Sequence, residues 1–272
     1  MFNNLDHIKI SSYLAYCLVP AIVTGPFLSD LILSLIAIYF LFVLIFTKPY
    51  EIIPKEFTYI FFLSFFYIII RSSLSDFSFN SLTYDGVIFY FRYYFFCLGI
   101  LYLSINNKNL IKNIIFISLI TSLVVIADGS LQLLTGKNIL GWEILYRVSG
   151  LFKDELVIGI FLSKIILMVF AYYDLTYNNK YQKVRYFYLL LGLIFLIYTR
   201  ERAALILFII YFLFYFTFVK KIDLKKNFLI IFLTIFAITL VFIFSKYISN
   251  YFLITITQIN QGYIPFIPYP EG

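Results

Sequence analysis

The residues of this chain best suited to chemistry are its arginines. Arg147 opens the stretch Arg147-Val-Ser-Gly-Leu-Phe-Lys-Asp-Glu155, and Arg200 and Arg202 flank Glu201 in a three-residue charged break. Arg92 sits within the aromatic run Phe89-Tyr-Phe-Arg-Tyr-Tyr-Phe95. A guanidinium is a planar, permanently charged fork that matches the oxygens of a phosphate or a carboxylate two at a time. Arginines held near one another would therefore bind an anionic group.

Each of these residues also has a plainer reading. Arg92 can snorkel to the membrane interface with cation–π support from Tyr90 or Tyr93. Arg200, Glu201 and Arg202 can cap and hydrate a turn, although a helix starting at Arg202 would offer its N-terminal N–H groups to an anion. Asp128 is expected to close an apolar run as part of an end-of-helix polar cluster. Asp154 and Glu155 suit the start of a helix, where carboxylates are favoured, and Ser149-Gly150 suits a tight turn. Lys164 reaches outward or pairs with Asp154 or Glu155, and His7, the single histidine, is expected to be solvated.

Other chemistries lack their residues. There is no glycine-rich nucleotide loop, zinc spacing or paired acidic metal motif, so neither a cofactor nor a metal is expected. Cys17 and Cys97 stand far apart without Cys or His neighbours. They are expected to be small apolar residues buried among helices.

The elements that must position the arginines follow from composition. The 272 residues are 62% hydrophobic and 22% aromatic, and only 13% are charged. A soluble fold would need more polar surface than this. The apolar runs match the length a helix needs to cross a bilayer, which predicts an all-α, polytopic transmembrane bundle of about nine spans. Their approximate limits are 10–27, 29–47, 56–70, 86–104, 110–127, 157–173, 186–199, 203–219 and 228–246. Pro20, Gly25 and Pro26 mark a tight hairpin between the first two, and Arg200-Glu201-Arg202 splits a run too long for one helix. The first run lacks a cleavage site, which predicts a retained span.

Charge orients the bundle. With the N-terminus inside, twelve of the 21 basic residues fall on inner segments: Lys9, Lys48, Lys55, Lys108, Lys112, Lys180, Lys183, Arg185, Lys220, Lys221, Lys225 and Lys226. Seven fall outside, and Arg92 and Lys164 lie within spans. This bias favours the N-terminus inside and, with an odd span count, the C-terminus outside. The net charge of +7 therefore reports membrane orientation, and nucleic acid is not an expected partner. Inner loops use almost only Lys, whereas Arg71, Arg147, Arg200 and Arg202 gather outside against the trend. Residues 1–247 read as the transmembrane domain. Residues 248–272, proline-broken and aromatic, read as an extracytoplasmic tail and the expected start of a truncated periplasmic loop.

Three segments together resemble the O-antigen ligase/polymerase family of bacterial membrane proteins: Asp128-Gly-Ser-Leu-Gln132 continuing to Gly136-Lys-Asn-Ile-Leu-Gly141, Arg147-Val-Ser-Gly-Leu-Phe152 with Asp154, Glu155 and Gly159, and Tyr198-Thr-Arg-Glu-Arg-Ala-Ala204. The stretch Pro20–Asp30 is also similar to that family. Order and spacing carry the resemblance, which covers most of the chain.

The resemblance implies a multi-pass protein of the bacterial inner membrane that takes a glycan from an undecaprenyl-diphosphate carrier on the periplasmic side. The acceptor would be a sugar hydroxyl on lipid A core or on a growing glycan. No metal or cofactor is implied, and arginines near the outer surface would hold the diphosphate. Carried over by motif, that role falls on Arg147 and Arg202, with Arg200 and Arg92 as further candidates. The family also has a large periplasmic loop bearing a functional histidine, followed by more spans. This chain stops where that loop would begin and its histidine lies on the inner side. The expectation is an incomplete version, with Glu155 or Asp154 as the candidate general base.

A transporter or flippase for an anionic lipid-linked saccharide would use the same arginines to guide a diphosphate. It would also place polar groups at the midplane and commonly show an internal repeat. The clustering of the arginines at one face and the lack of a repeat favour the transferase.

Overall fold

Long apolar segments with internally satisfied backbones are what a bilayer permits, and helices account for nearly all the regular structure. A computed structural model describes residues 4–74, 89–144, 147–153, 155, 157–177 and 181–220. Its helices are α1 (Asn4–Thr24), α2 (Pro26–Thr47), α3 (Lys55–Leu74), α4 (Phe91–Asn106), α5 (Leu110–Thr135), α6 (Ile158–Tyr177), α7 (Gln182–Thr199) and α8 (Arg202–Phe214). Short 3₁₀ turns occupy Tyr50–Ile52 and Gly150–Phe152, and a π-helical segment, Tyr215–Val219, extends α8. Among the described residues the only β pairing is an isolated bridge between Lys137 and Glu143.

Among the described residues, four segments are long and apolar enough to cross a membrane: His7–Thr24, Pro26–Thr47, Leu110–Thr135 and Ile158–Tyr177. The chain is thus a helical membrane protein. The segments expected at 56–70, 86–104 and 186–199 are represented by α3, α4 and α7, which do not reach that standard, and Ala203–Thr217 is a shorter apolar helix. The run 228–246 and the tail 248–272 lie outside the described residues.

The chain divides into two compact units, Met1–Arg200 and Glu201–Gly272. In the first, α1 and α2 form the expected hairpin. Gly25 alone joins them, at φ 122°, and Pro26 starts α2 where its missing N–H costs nothing. Pro20 is accommodated inside α1.

Hydroxyls that would otherwise be unsatisfied in lipid donate back to their own helices. Ser12, Thr47, Ser118 and Thr121 each bond the carbonyl four residues earlier. Between helices, small residues permit close approach. A Cβ on Gly99 of α4 would meet the Ile36 side chain of α2 at 3.0 Å, and Gly129 and Gly192 lie closer still against Phe195 and Ile166.

Contacts fix the relative direction of the helices. Asp30 meets Arg92 and Ile36 meets Gly99, so α2 and α4 run parallel. Ser12 and Tyr16 of α1 take hydrogen bonds from Asn107, and Tyr16 also takes one from Asn113, which sets α1 alongside the start of α5. Ser122 meets Tyr188 and Gly129 meets Phe195, so α5 and α7 run parallel, while Ile158 at the start of α6 sits beside Gly129. One end of this unit therefore collects Gly25, Asp30, Arg92, Asp128 and Arg200. The opposite end collects His7, Asn107, Asp174 and Arg185.

In the second unit, the rings of Phe208, Phe212 and Phe216 follow one another along α8 and its π-helical extension, with centroids 6.4 and 4.5 Å apart. Thr217 donates its hydroxyl to the Leu213 carbonyl.

Two cysteine expectations and one for histidine are corrected. Cys17 and Cys97 are exposed on the helix surfaces, because in helices apolar all round nothing in the pattern sets which face turns inward. His7 is not simply solvated: its Nδ1 lies 3.0 Å from the Tyr39 hydroxyl, in hydrogen-bonding contact.

Candidate functional site

The end of the first unit that holds Asp128 is built around a loop pinned by buried amides. The helix α5 does not stop at Asp128, as the sequence reading expected, but continues to Thr135. Asp128 and Gln132 lie one turn apart on its buried face, 3% and 0% exposed. Backbone groups of the loop that follows bond both Gln132 amide atoms and one oxygen of Asp128. Gly136, in the left-handed region at φ 82°, then caps α5 and turns the chain back across the helix end.

Two side chains hold the returning loop. Gln132 Oε1 accepts the N–H groups of Ser149 and Gly150, at 3.1 and 2.8 Å, and its Nε2 donates to the Trp142 carbonyl at 3.3 Å. Asn138 Oδ1 accepts the N–H groups of Leu140 and Trp142, while its Nδ2 donates to the Gly150 carbonyl at 2.9 Å. The donor and acceptor atoms of both amides are thus fixed by the network itself.

Asp128 Oδ1 accepts the Ile139 N–H at 2.9 Å. Its Oδ2 is buried without a hydrogen-bond partner and faces Gly150, whose hypothetical Cβ would lie 3.1 Å from it. Gly150 adopts φ 54° and starts the short turn Gly150–Phe152, so the expected tight turn at Ser149-Gly150 is present.

Arg147 enters this unit two residues before Ser149. Val148, Ser149 and Gly150 are all buried, and Arg147 is the half-buried residue at their edge. Glu155 is exposed and donates its N–H to the Phe152 carbonyl. The helix begins three residues later, at Ile158, so Glu155 does not start it as expected; the turn at Gly150–Phe152 and Lys153, at φ 56°, occupy the approach. Asp154 lies outside the described residues. Lys164 is exposed on α6.

Arg92 does not simply snorkel. Its Nη2 donates to Asp30 Oδ2 at 2.8 Å, and the guanidinium carbon lies 5.4 Å from the Tyr93 ring centroid, so the Tyr93 support is present. With the two side chains 29% and 49% exposed, this pair remains partly open.

Arg200 is exposed in the left-handed conformation that ends α7, and α8 starts at Arg202. The split at Arg200-Glu201 expected from sequence is therefore present. The side chain of Arg202 lies outside the described residues, and Arg147 and Arg202 belong to different units.

Sequence reasoning missed Gln132 and Asn138, whose signal was a pair of amides in the segments flanking Gly136. It also missed the partners of two arginines. Asp30 faces Arg92, and Asp174 faces Arg185, read from sequence as an orienting charge. The Arg185–Asp174 pair, 3.1 Å apart and nearly fully buried, clamps the other end of α6 to α7. Arg185 Nη1 adds a bond to the Tyr173 carbonyl at 3.3 Å.

Comparison with protein-family models, with curated proteins and with solved structures gives no match to this chain.

Proposed function

We propose that this chain is a membrane glycosyltransferase of the O-antigen ligase/polymerase type in a bacterial inner membrane. It transfers or polymerises glycan from an undecaprenyl-diphosphate carrier, at the outer face of a bundle of about nine spans with its N-terminus inside.

One observation carries the reading. Two of the three segments that resemble the family, Asp128–Gly141 and Arg147–Phe152, fold into a single hydrogen-bonded unit, joined by Gln132 and Asn138. The third begins at Tyr198, where α7 ends on the same side of its unit as Asp128. The joining of the first two segments supports their serving a common role.

The chemistry follows from charge. The acceptor hydroxyl oxygen bonds to the anomeric carbon as the bond from that carbon to the diphosphate oxygen breaks, and the diphosphate leaves with the electron pair. Arg147 and Arg202, with Arg200 and Arg92, stabilise the negative charge that develops. At the bilayer surface the low dielectric strengthens each contact. Glu155 or Asp154 takes the hydroxyl proton. The polyprenyl tail lies in the hydrocarbon beside the helices.

Substitution tests this. Arg147→Ala and Arg202→Ala are expected to abolish surface-polysaccharide ladders while the protein stays in the membrane. Normal ladders in both variants would remove the diphosphate clamp. The location of the unused donor separates the transferase from a flippase: lipid-linked saccharide builds up in the outer leaflet when transfer fails and in the inner leaflet when flipping fails.

A further inference from the structure

We propose that Gln132 is a positioning residue for Arg147, fixing the direction in which its guanidinium leaves the protein and so its hold on a prenyl diphosphate. This rests on the diphosphate reading above.

Four features of the geometry point there. Gln132 has no exposed surface and belongs to a membrane-crossing helix, so its amide is a fixed point. Its single oxygen accepts two successive backbone N–H groups, those of Ser149 and Gly150. Two adjacent peptide planes are then oriented by one atom. Gly150 is held at its carbonyl as well, by Asn138 Nδ2, and its left-handed φ of 54° leaves the turn little freedom. Finally, every residue between this anchor and Arg147 is buried, so the first side chain not enclosed is the arginine.

A charged fork gains affinity for a diphosphate when its direction is set before the ligand arrives, because less freedom is lost on binding. Without the Gln132 oxygen, two buried N–H groups lose their acceptor and the segment carrying Arg147 must find another path.

The chain offers its own reporter. Trp142 is the single tryptophan, and its carbonyl accepts the Gln132 amide. The full chain, in nanodiscs of phosphatidylethanolamine and phosphatidylglycerol, is titrated with undecaprenyl diphosphate and followed by Trp142 fluorescence. Kd is obtained for the wild type, Gln132→Leu, Arg147→Ala and the double variant, together with each thermal midpoint.

Both single variants should weaken binding about tenfold or more, and the double variant should lose no more than the worse single, because the two residues act through one contact. A purely structural role for Gln132 would lower the thermal midpoint and the active fraction while leaving the Kd of the folded protein unchanged. Unchanged Kd in Gln132→Leu, or losses that multiply in the double variant, overturns the proposal. Should Gln132→Leu fail to fold, Gln132→Ser takes its place with the same expectations. A wild type that does not bind undecaprenyl diphosphate overturns the diphosphate reading itself, and the positioning role with it.

Discussion

Gln132 Oε1 accepts the N–H of Gly150 at 2.8 Å, across eighteen residues of chain. That bond ties the end of α5 to the turn at Gly150–Phe152. It places the backbone around Arg147 under the control of a side chain that never reaches the surface.

Gly150 should tolerate no side chain. An alanine in the left-handed region costs about 1–2 kcal/mol in backbone energy alone. Its Cβ would also press on Asp128 Oδ2 and Ile158 Cδ1, each 3.1 Å away. Gly150→Ala is expected to lower the thermal midpoint in detergent and to shift Trp142 emission to the red as the loop loosens. An unchanged midpoint with unchanged emission would mean that the turn is not held as described.

Asn138→Ala removes the donor to the Gly150 carbonyl and the acceptor for the Leu140 and Trp142 N–H groups. Leaving a buried carbonyl unpaired costs about 1–3 kcal/mol. Hydrogen exchange should speed up at Leu140 and Trp142, while amides in the middle of α6, around Ile166, keep their protection. Equal protection at all of these sites in variant and wild type would count against the anchoring role.

The Asp174–Arg185 pair should behave as a buried ion pair. Asp174→Ala leaves a guanidinium in the interior and is expected to destabilise by about 3–5 kcal/mol. Replacing both residues with leucine should recover most of that loss, since apolar packing commonly substitutes for a buried pair. Thermal unfolding of the single and double variants measures the difference. A double variant less stable than the single would refute the prediction.

Orientation is open to direct labelling. In a background free of Cys17 and Cys97, Leu140→Cys should react with a membrane-impermeant maleimide in intact cells, and Lys183→Cys only after permeabilisation. The reverse pattern would invert the charge-based topology.

The parts of this fold legible in the sequence are those set by local chemistry. Within the described residues, apolar runs of bilayer length gave helices, Gly25 and Pro26 gave the first hairpin, and Arg200-Glu201 gave a break between two helices. The anchor at Gln132 was not legible, because an amide reads the same whether water or a distant loop satisfies it. Its partners lie 17 and 18 residues further on. Arg92 and Asp30 are 62 residues apart, so their pairing depends on how α2 and α4 pack. Cys17 and Cys97 show the remaining gap: a helix apolar on every face does not announce which side faces its neighbours.

The single-residue link at Gly25 bears on how the protein enters its membrane. A helix that crosses alone must carry a polar loop to the far side, whereas α1 and α2 take across little more than Thr24, Gly25 and the N–H-free Pro26. Neither helix has slack to insert without the other. Asn4–Thr47 is therefore expected to enter the bilayer as one helical hairpin, both arms together.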